Sequence, residues 1–415
     1  MSIFKPLKGF TYNKEKVDIK TVIAPPYDVI NEEQKEQLYK SSEYNICHIE
    51  LPKGEDSNKY LHAKELINSW IDKKILLQEN DENYYLYQQT FNLEGQLIQR
   101  RSILGLLEIH AFEDRIILPH ENTMEGPKKD RYSLLEATQA NISPIFCMCN
   151  DETGDLFQLL ENYSQTQPTF TTNDVTETQH DLWKINDVQV IQKINELGEN
   201  KKFIILDGHH RYTTALNYKN NNPNEKNHYV LTALVPDSEP GLKILPIHRM
   251  LTSTYTIEGA LAVLEKDFEI NKVTQDKITI HSAYDTFEEN NSQHGFLLTD
   301  NKQFYTCMIK QEKFDKLASQ SFEMNLDTFI VDEMAIKKML NEQNIDYLPE
   351  QNVNFVTNFD EITSMFNQGS NNLCFLVQPL PIKTIVDFTE RNMVMPHKTT
   401  YLYPKIGSGF VINKF

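Results

Sequence analysis

Six consecutive residues, Asp207-Gly208-His209-His210-Arg211-Tyr212, bring together a carboxylate, two imidazoles, a guanidinium and a phenol. They follow the apolar run Phe203-Ile204-Ile205-Leu206, which reads as a short buried strand. They precede Thr213 to Tyr218, where Tyr212, Ala215 and Leu216 share one helical face. A strand, a tight Asp-Gly turn and a helix leave first-turn backbone N–H groups without intrahelical acceptors, at the positive end of the helix dipole. Such an end binds anions, and Arg211 is suited to grip phosphate oxygens with two parallel hydrogen bonds. We read the turn as one that handles phosphate. An ordinary surface turn would use the same Asp-Gly pair. A metal fits less well, because adjacent helical residues diverge by about 100° and His209 and His210 then face different ways.

Three further segments carry polar chemistry. Pro119-His120-Glu121 through Lys128-Lys129-Asp130-Arg131 supplies an imidazole, carboxylates, two lysines and an arginine near a Gly-Pro pair, enough for acid, base and phosphate-clamping groups. A solvated charged loop has the same composition. Pro25-Pro26-Tyr27-Asp28 is a stiff segment that can hold Tyr27 or Asp28 toward a pocket or simply make a turn. The tail from Met395 to Lys405 offers Lys398 and Lys405 as positive charges among aromatics. Phosphoryl transfer needs positioning and electrostatic stabilisation. His209, His210, Arg211, Lys128 and Arg131 are candidate cationic donors, and Glu121, Asp207 and Asp28 are candidate general bases.

The elements that must position these groups are legible in outline. Asn31 reads as an N-cap before Glu32 and Glu33. Tyr60, Ala63, Ile67, Trp70 and Ile71 form one helical stripe, read as core packing. Tyr84–Phe91 and Arg101–Ile109 flank Asn92-Leu93-Glu94-Gly95 as a hairpin. Ile145–Met148 and Tyr229–Val235 read as strands, and Val188, Ile191, Ile194 and Leu197 as a helix. Residues 150–182 are polar and weakly periodic, which suggests a surface excursion. Beyond Pro236–Gly241, residues 256–266 and 326–340 read as helices, and 295–299, 304–309 and 373–378 as strands. The mixed order argues for an α+β (mixed α/β) protein. Expected divisions are an N-terminal α/β segment at 1–100, a core at 101–236 with the excursion inserted at 150–182, and a C-terminal α+β domain at 237–415.

Bulk properties exclude several classes. The 415 residues hold 41 Lys and Arg against 59 Asp and Glu, a formal charge of −18. That disfavours a nucleic-acid binder, which neutralises phosphates with a basic patch. No secretory apolar region follows Met1 and no run of 18 apolar residues occurs, so a cytoplasmic location without membrane spans is expected. The five cysteines, Cys47, Cys147, Cys149, Cys307 and Cys374, read as buried reduced thiols. Cys147-Met148-Cys149 lacks a second ligand pair for zinc.

Taken in order, four motifs carry a resemblance. They are Pro25-Pro26-Tyr27-Asp28-Val29; His120-Glu121 with Thr123, Gly126-Pro127-Lys128 and Asp130-Arg131; Asp207 to Tyr212; and Met395-Pro396 with Lys398-Thr399-Thr400-Tyr401. Together they resemble the bacterial and archaeal domain of unknown function 1015 family across nearly the whole chain. That family's tail is expected to carry Lys-Ser-Thr, and Lys398-Thr399-Thr400 keeps the hydroxyl. Around the Asp207–Arg211 motif the family is similar to free-serine kinases with a ParB/sulfiredoxin-like nucleotide-binding core.

The resemblance implies a phosphotransferase acting on serine or phosphoserine with ADP or ATP and Mg²⁺. Nucleotide phosphate would be bound by Gly208, His209, His210 and Arg211, with His120, Lys128, Arg131 and Lys398 contributing. Glu121 would be the acid/base, with Asp207 and Asp28 as alternatives, and no protein metal site is expected. A metal-dependent phosphoserine phosphatase and a non-catalytic nucleotide sensor are the competing expectations. Oligomeric state is not specified by the sequence.

Overall fold

A computed structural model describes residues 3–54, 58–121, 125–252, 255–274, 278–289, 294–368 and 372–415. It is a mixed α+β protein made of two compact units. The first comprises residues 1–243, 392–394 and 402–415; the second comprises 244–391 and 395–401. The expected division at residue 100 falls inside the strand Gln96–Glu108, so residues 1–100 and the stretch after them share one sheet.

The first unit is organised on a sheet of nine strands among the described residues. From one edge, eight run Ile117–Pro119, Phe203–Asp207, Ile145–Cys149, Tyr229–Pro236, Gln96–Glu108, Tyr84–Leu93, Gln179–Ile185 and Phe170–Asn173. The ninth, Phe4–Lys5, pairs with the far end of Gln96–Glu108 through Phe4 and Leu107. The hairpin joining Tyr84–Leu93 to Gln96–Glu108 turns at Glu94 (φ 52°) and Gly95 (φ 79°), two left-handed residues whose twist matches that of the strands. Ile103, Ile145, Cys147, Phe203, Ile205 and Leu234 contribute to one buried core on this sheet.

Local signals explain most of the framework. Asn31 Oδ1 accepts from Gln34 N at 2.8 Å while Gln34 Oε1 accepts from Asn31 N at 3.0 Å, a reciprocal cap on the helix Glu32–Ser41. In the helix Asn58–Asp72, Ala63, Ile67 and Trp70 are buried. Tyr60, expected in the same packed stripe, instead donates its hydroxyl to Asp130 at 2.7 Å. Tyr27–Val29 is a short 3₁₀ turn after the extended Pro26.

Residues 150–182 are not a surface excursion. They hold the helix Asp155–Ser164 and the strand Phe170–Asn173 and begin the strand Gln179–Ile185, which pairs with Tyr84–Leu93 from Gln179–Thr90 to Ile185–Tyr84. Polar composition hid the second strand because its buried polar groups are paired. His180 Nδ1 meets Tyr87 Oη at 2.7 Å, and its Nε2 meets Asp174 at 3.1 Å. Asp181 accepts from Thr171 at 2.6 Å and from Gln179 at 2.8 Å. Likewise the charged stretch after Glu121 contains a helix, Glu125–Thr138, that buries Leu134 and Leu135.

The second unit is built on an antiparallel sheet of six strands among the described residues, in the order Phe268–Lys272, Phe304–Ile309, Gly295–Thr299, Asn372–Leu376, His248–Thr252 and Val353–Val356. Its two faces carry separate cores. Leu251, Phe296, Leu298 and Phe375 belong to one, and Met250, Leu297, Cys374 and Leu376 to the other, as the period of two requires. The expected helix at 326–340 is interrupted by a π-helical segment, Val331–Ile336, between Asp327–Ile330 and Lys337–Glu342. Asp332 at its start meets the fully buried Arg249 at 3.1 Å.

Among the described residues no helix is long and apolar enough to cross a membrane. All five cysteines are buried free thiols.

Candidate functional site

The Asp207 turn is produced by its neighbours in the sheet. Phe203–Asp207 runs parallel to Ile117–Pro119 and antiparallel to Ile145–Cys149. Its register with the latter shifts between Ile205 and Asp207. Gly208 follows at φ 88°, ψ 27°, and the helix His209–Asn221 starts with Tyr212 N donating to Gly208 O at 2.9 Å. Tyr212 is fully buried and its hydroxyl both donates to His110 O at 2.8 Å and accepts from His110 N at 2.9 Å, so it anchors the helix. A Cβ on Gly208 would sit 3.0 Å from Arg211 Nε and 3.0 Å from Ile145 Cγ2, in a left-handed conformation. Gly208→Ala is therefore expected to destabilise the protein by about 1–3 kcal/mol. Urea unfolding checks this, and a change below about 0.5 kcal/mol would show that the turn relaxes freely.

Around Asp207 the chain gathers charges from three distant segments. Asp207 Oδ2 pairs with Arg211 Nη2 at 2.6 Å, and Oδ1 pairs with Lys405 Nζ. Lys405 Nζ also reaches Asp28 Oδ2 at 3.2 Å. Burial acts to raise the Asp207 pKa, but Lys405 and Arg211 outweigh it and hold the carboxyl well below its usual range. Burial likewise opposes the Lys405 charge, and Asp207 and Asp28 overcome it, so its pKa rises. Arg211 also donates to Pro144 O. Asp28, from one motif, and Asp207 and Arg211, from another, thus form one linked cluster.

Lys405 completes that cluster. Lys398 belongs to the second unit, where its backbone carbonyl accepts from Arg249 Nη2 at 3.2 Å. Lys405 is delivered by its own backbone: Gln89 Nε2 donates to Lys405 O at 3.0 Å, and Arg100 donates to Tyr403 O at 3.2 Å and to Pro404 O. Arg100 is itself buried on the strand Gln96–Glu108. No spacing rule singles out Lys405; the strand arginine that receives the tail is the signal.

His120 and His209 form a second grouping. Their rings meet edge to face with centroids 4.7 Å apart. His120 Nδ1 lies 2.6 Å from Ile205 O, so this nitrogen carries the proton and donates. His209 Nε2 accepts from His120 N at 3.3 Å, which places the His209 proton on Nδ1. Burial lowers both pKa values, His209 to about 3, although Glu121 and Asp207 act in the opposite direction on each. The expectation that His209 is a cationic donor is thereby corrected: it is a buried neutral imidazole. Glu121 is half-buried, and its charge reaches both rings.

The sign of the resulting pH dependence is fixed. An unfolded histidine titrates near the ordinary value of 6.5, whereas folded His209 resists protonation until about pH 3. Between those values the unfolded chain binds more protons, so stability falls as pH falls. The loss is about 1.4 kcal/mol per pH unit for each such histidine. Asp207, held below the ordinary aspartate value of 3.8, adds a further loss only under more acidic conditions, as pH falls through that range. Urea unfolding at several values between pH 7 and 5 is expected to show this slope, and His209→Asn to reduce it by one proton; an unchanged slope in the variant would contradict the assignment.

The other expected residues are placed as follows. Arg131 is buried; its Nε donates to Asp130 Oδ2 at 3.0 Å and its Nη1 to Glu50 O at 3.0 Å. The Tyr27 ring covers its guanidinium at 4.2 Å. Tyr27 feels the charges of Arg211, Arg131, Asp28 and Glu50, so this grouping adjoins the Asp207 cluster. His210 is half-buried in the first helical turn. Lys128 lines, with Tyr132, Thr214, Asn217 and Asn221, a hollow of about 580 Å³. Glu50 is a member that sequence reasoning missed; it sits in an apolar stretch after Ile49, and only its burial singles it out. Among the described residues no group of three or more His, Cys, Asp or Glu side chains is arranged to hold a metal.

No curated protein matches the sequence. Among solved structures, the chain is similar to a free serine kinase in complex with AMP, with 11% identity over 72% of this chain and 86% of that one and a TM-score of 0.33. It is also similar to a C-terminally truncated SbnI from Staphylococcus aureus, with 12% identity over 73% and 84% of the two chains and a TM-score of 0.35. A conserved hypothetical protein from Pyrococcus furiosus gives 11% identity over 74% and 92%, with a TM-score of 0.32. At such scores likeness carries no ligand or reaction across. The family model described as a protein of unknown function, DUF1015, matches residues 4–329, a span that includes the Tyr27-Asp28, His120-Glu121 and Asp207–Arg211 segments, and the chain belongs to that family.

Proposed function

We propose that the first unit transfers a phosphoryl group between an adenine nucleotide and the hydroxyl of serine. The observation that carries this reading is the Gly208 turn. A left-handed glycine opens a 13-residue helix, and Arg211 and Lys405 stand beside its N-terminus, both fixed on Asp207. The helix end and two fixed cations suit the phosphates of ADP or ATP, with little reorganisation on binding. Mg²⁺ would be held mainly by phosphate oxygens and water and would offset charge on the transferring group.

Glu121 is the acid/base in this reading. In the kinase direction it takes the serine hydroxyl proton as the oxygen–phosphorus bond forms and the terminal phosphoanhydride bond of ATP breaks. In reverse it returns the proton to serine as phosphoserine gives its phosphoryl group to ADP. Asp207 is poorly suited to that role, because both its oxygens are held by cations and its depressed pKa makes it a weak proton acceptor. Its part is to position Arg211 and Lys405. The neutral His120–His209 pair lies within the electrostatic reach of Glu121 and sets the polarity around it.

The test is to incubate the protein with phosphoserine, with and without ADP and Mg²⁺, and to follow serine, inorganic phosphate and ATP separately. Serine and ATP appearing in equal amounts, only with ADP, is the expected result. Inorganic phosphate released without ADP would replace the reading with a phosphatase. Nucleotide binding without turnover of serine or phosphoserine would replace it with a nucleotide sensor.

A further inference from the structure

Three polar side-chain atoms of the first unit, Glu50 Oε2, Arg211 Nε and Thr214 Oγ1, are buried together with no hydrogen-bond partner among the described residues. Leaving such atoms unpaired costs folding free energy, so native proteins rarely do it. All three residues line one cavity of about 50 Å³, together with Arg131, Ser143 and an apolar wall that includes Leu135. Glu50 and Thr214 are each 2% exposed, so neither reaches bulk solvent. One water needs roughly 10–15 Å³ of such space. The cavity therefore admits a compact polar group of several atoms.

The unpaired atoms specify the chemistry of that group. Glu50 is locked in place: its Oε1 accepts from Ser143 Oγ at 2.9 Å and lies 3.5 Å from Arg131 Nη1. Its Oε2 then asks for a donor, best a cation. Arg211 Nε–H asks for an acceptor, best an anion, because Nη1 and Nη2 are already committed to Pro144 and Asp207. Thr214 supplies a hydroxyl that fits either. A positive and a negative group one carbon apart answers all three, and that is the head of an α-amino acid.

We propose that this cavity binds the ammonium–carboxylate head of the amino-acid substrate, with Glu50 taking the ammonium and Arg211 Nε and Thr214 taking the carboxylate. The assignment rests on the phosphotransfer reading for the identity of the amino acid, and on the cavity alone for its head group. Arg211 joins the two sites. Its guanidinium is anchored on Asp207 in the phosphate turn and the same residue lines the cavity, so one side chain would serve both the phosphate and the amino-acid head. Gly208 permits this, since a Cβ there would press on Arg211 Nε at 3.0 Å.

Serine binding is measured by calorimetry and phosphoserine turnover with ADP by initial rates, for wild type, Glu50→Gln and Thr214→Val. Far-UV circular dichroism and thermal melts establish that each variant is folded; Thr214→Val keeps the shape and serves if Glu50→Gln does not fold. Losing one charge-assisted contact is expected to raise the phosphoserine KM and the serine Kd about 10–100-fold for Glu50→Gln, and losing the hydroxyl to raise them about 3–10-fold for Thr214→Val, with the ADP KM unchanged. Phosphoethanolamine, which lacks the carboxylate, and 3-(phosphonooxy)propanoate, which lacks the amine, are expected to lose at least tenfold in kcat/KM with wild type. In Glu50→Gln the penalty for the missing amine should largely vanish. Turnover with unchanged KM in both folded variants would overturn the pocket assignment and leave the phosphotransfer reading standing. Serine binding that depends on Glu50 and Thr214, without any turnover, would support the pocket and overturn the phosphotransfer reading. Serine binding insensitive to both residues would mean that the cavity holds water only.

Discussion

Glu121→Gln is expected to lower kcat for phosphoryl exchange between phosphoserine and ADP by about 10²–10⁴-fold, with nucleotide affinity nearly unchanged. The substitution keeps size and hydrogen-bonding capacity but removes the proton acceptor. Glu121 adjoins His120 and acts on the two buried imidazoles. Removing its charge also removes an influence that raises both histidine pKa values, so those rings stay neutral and are not themselves switched. Initial rates in both directions and a nucleotide titration separate chemistry from binding. Near-wild-type turnover would move the acid/base role to Asp28, the remaining carboxylate of the cluster not held by two cations.

Asp207→Ala is expected to cost about 3–5 kcal/mol of stability, because it leaves Lys405 and Arg211 buried without their shared partner. The side chains of Asp207, Lys405 and Arg211 are 16%, 14% and 11% exposed, so solvent does little to compensate. Most of that loss should come from the stranded charges. The double variant Asp207→Ala with Lys405→Met is therefore expected to recover part of it, a coupling that a double-mutant cycle reads directly. Urea unfolding of the four proteins of the cycle is the measurement. A loss below about 1 kcal/mol for Asp207→Ala, or strict additivity in the cycle, would show that the cluster is solvated and weak.

Local backbone chemistry is the most legible part of this sequence. The Asn31 cap, the Glu94-Gly95 hairpin and the strand–glycine–helix at 203–221 depend on a few adjacent residues, and each is found where the residues indicate. The strand at 179–185 is not legible, because its buried polar side chains are satisfied by partners such as Tyr87 and Thr171 that the strand's own sequence does not reveal. The π-helical segment at 331–336 escapes for a related reason: periodicity marks a helix but not a one-residue insertion within it. At the candidate site, residue type points to Asp28, His120, Asp207, His209, Arg211 and Arg131, and the first unit groups them. Residue type does not give protonation. His209 looks like a cation in sequence and is neutral because burial outweighs the nearby carboxylates. Nor does it single out Lys405, since that residue is delivered by Arg100 and Gln89, far away in the chain.

A crystal structure of the protein with ADP, Mg²⁺ and phosphoserine tests the central claim most directly. The β-phosphate of ADP is expected within hydrogen-bond distance of the backbone N–H groups of residues 209–211, with Lys405 or Arg211 on its oxygens and Glu121 facing the serine oxygen. Nucleotide bound elsewhere in the chain, with the Gly208 turn making no contact to phosphate, would contradict it.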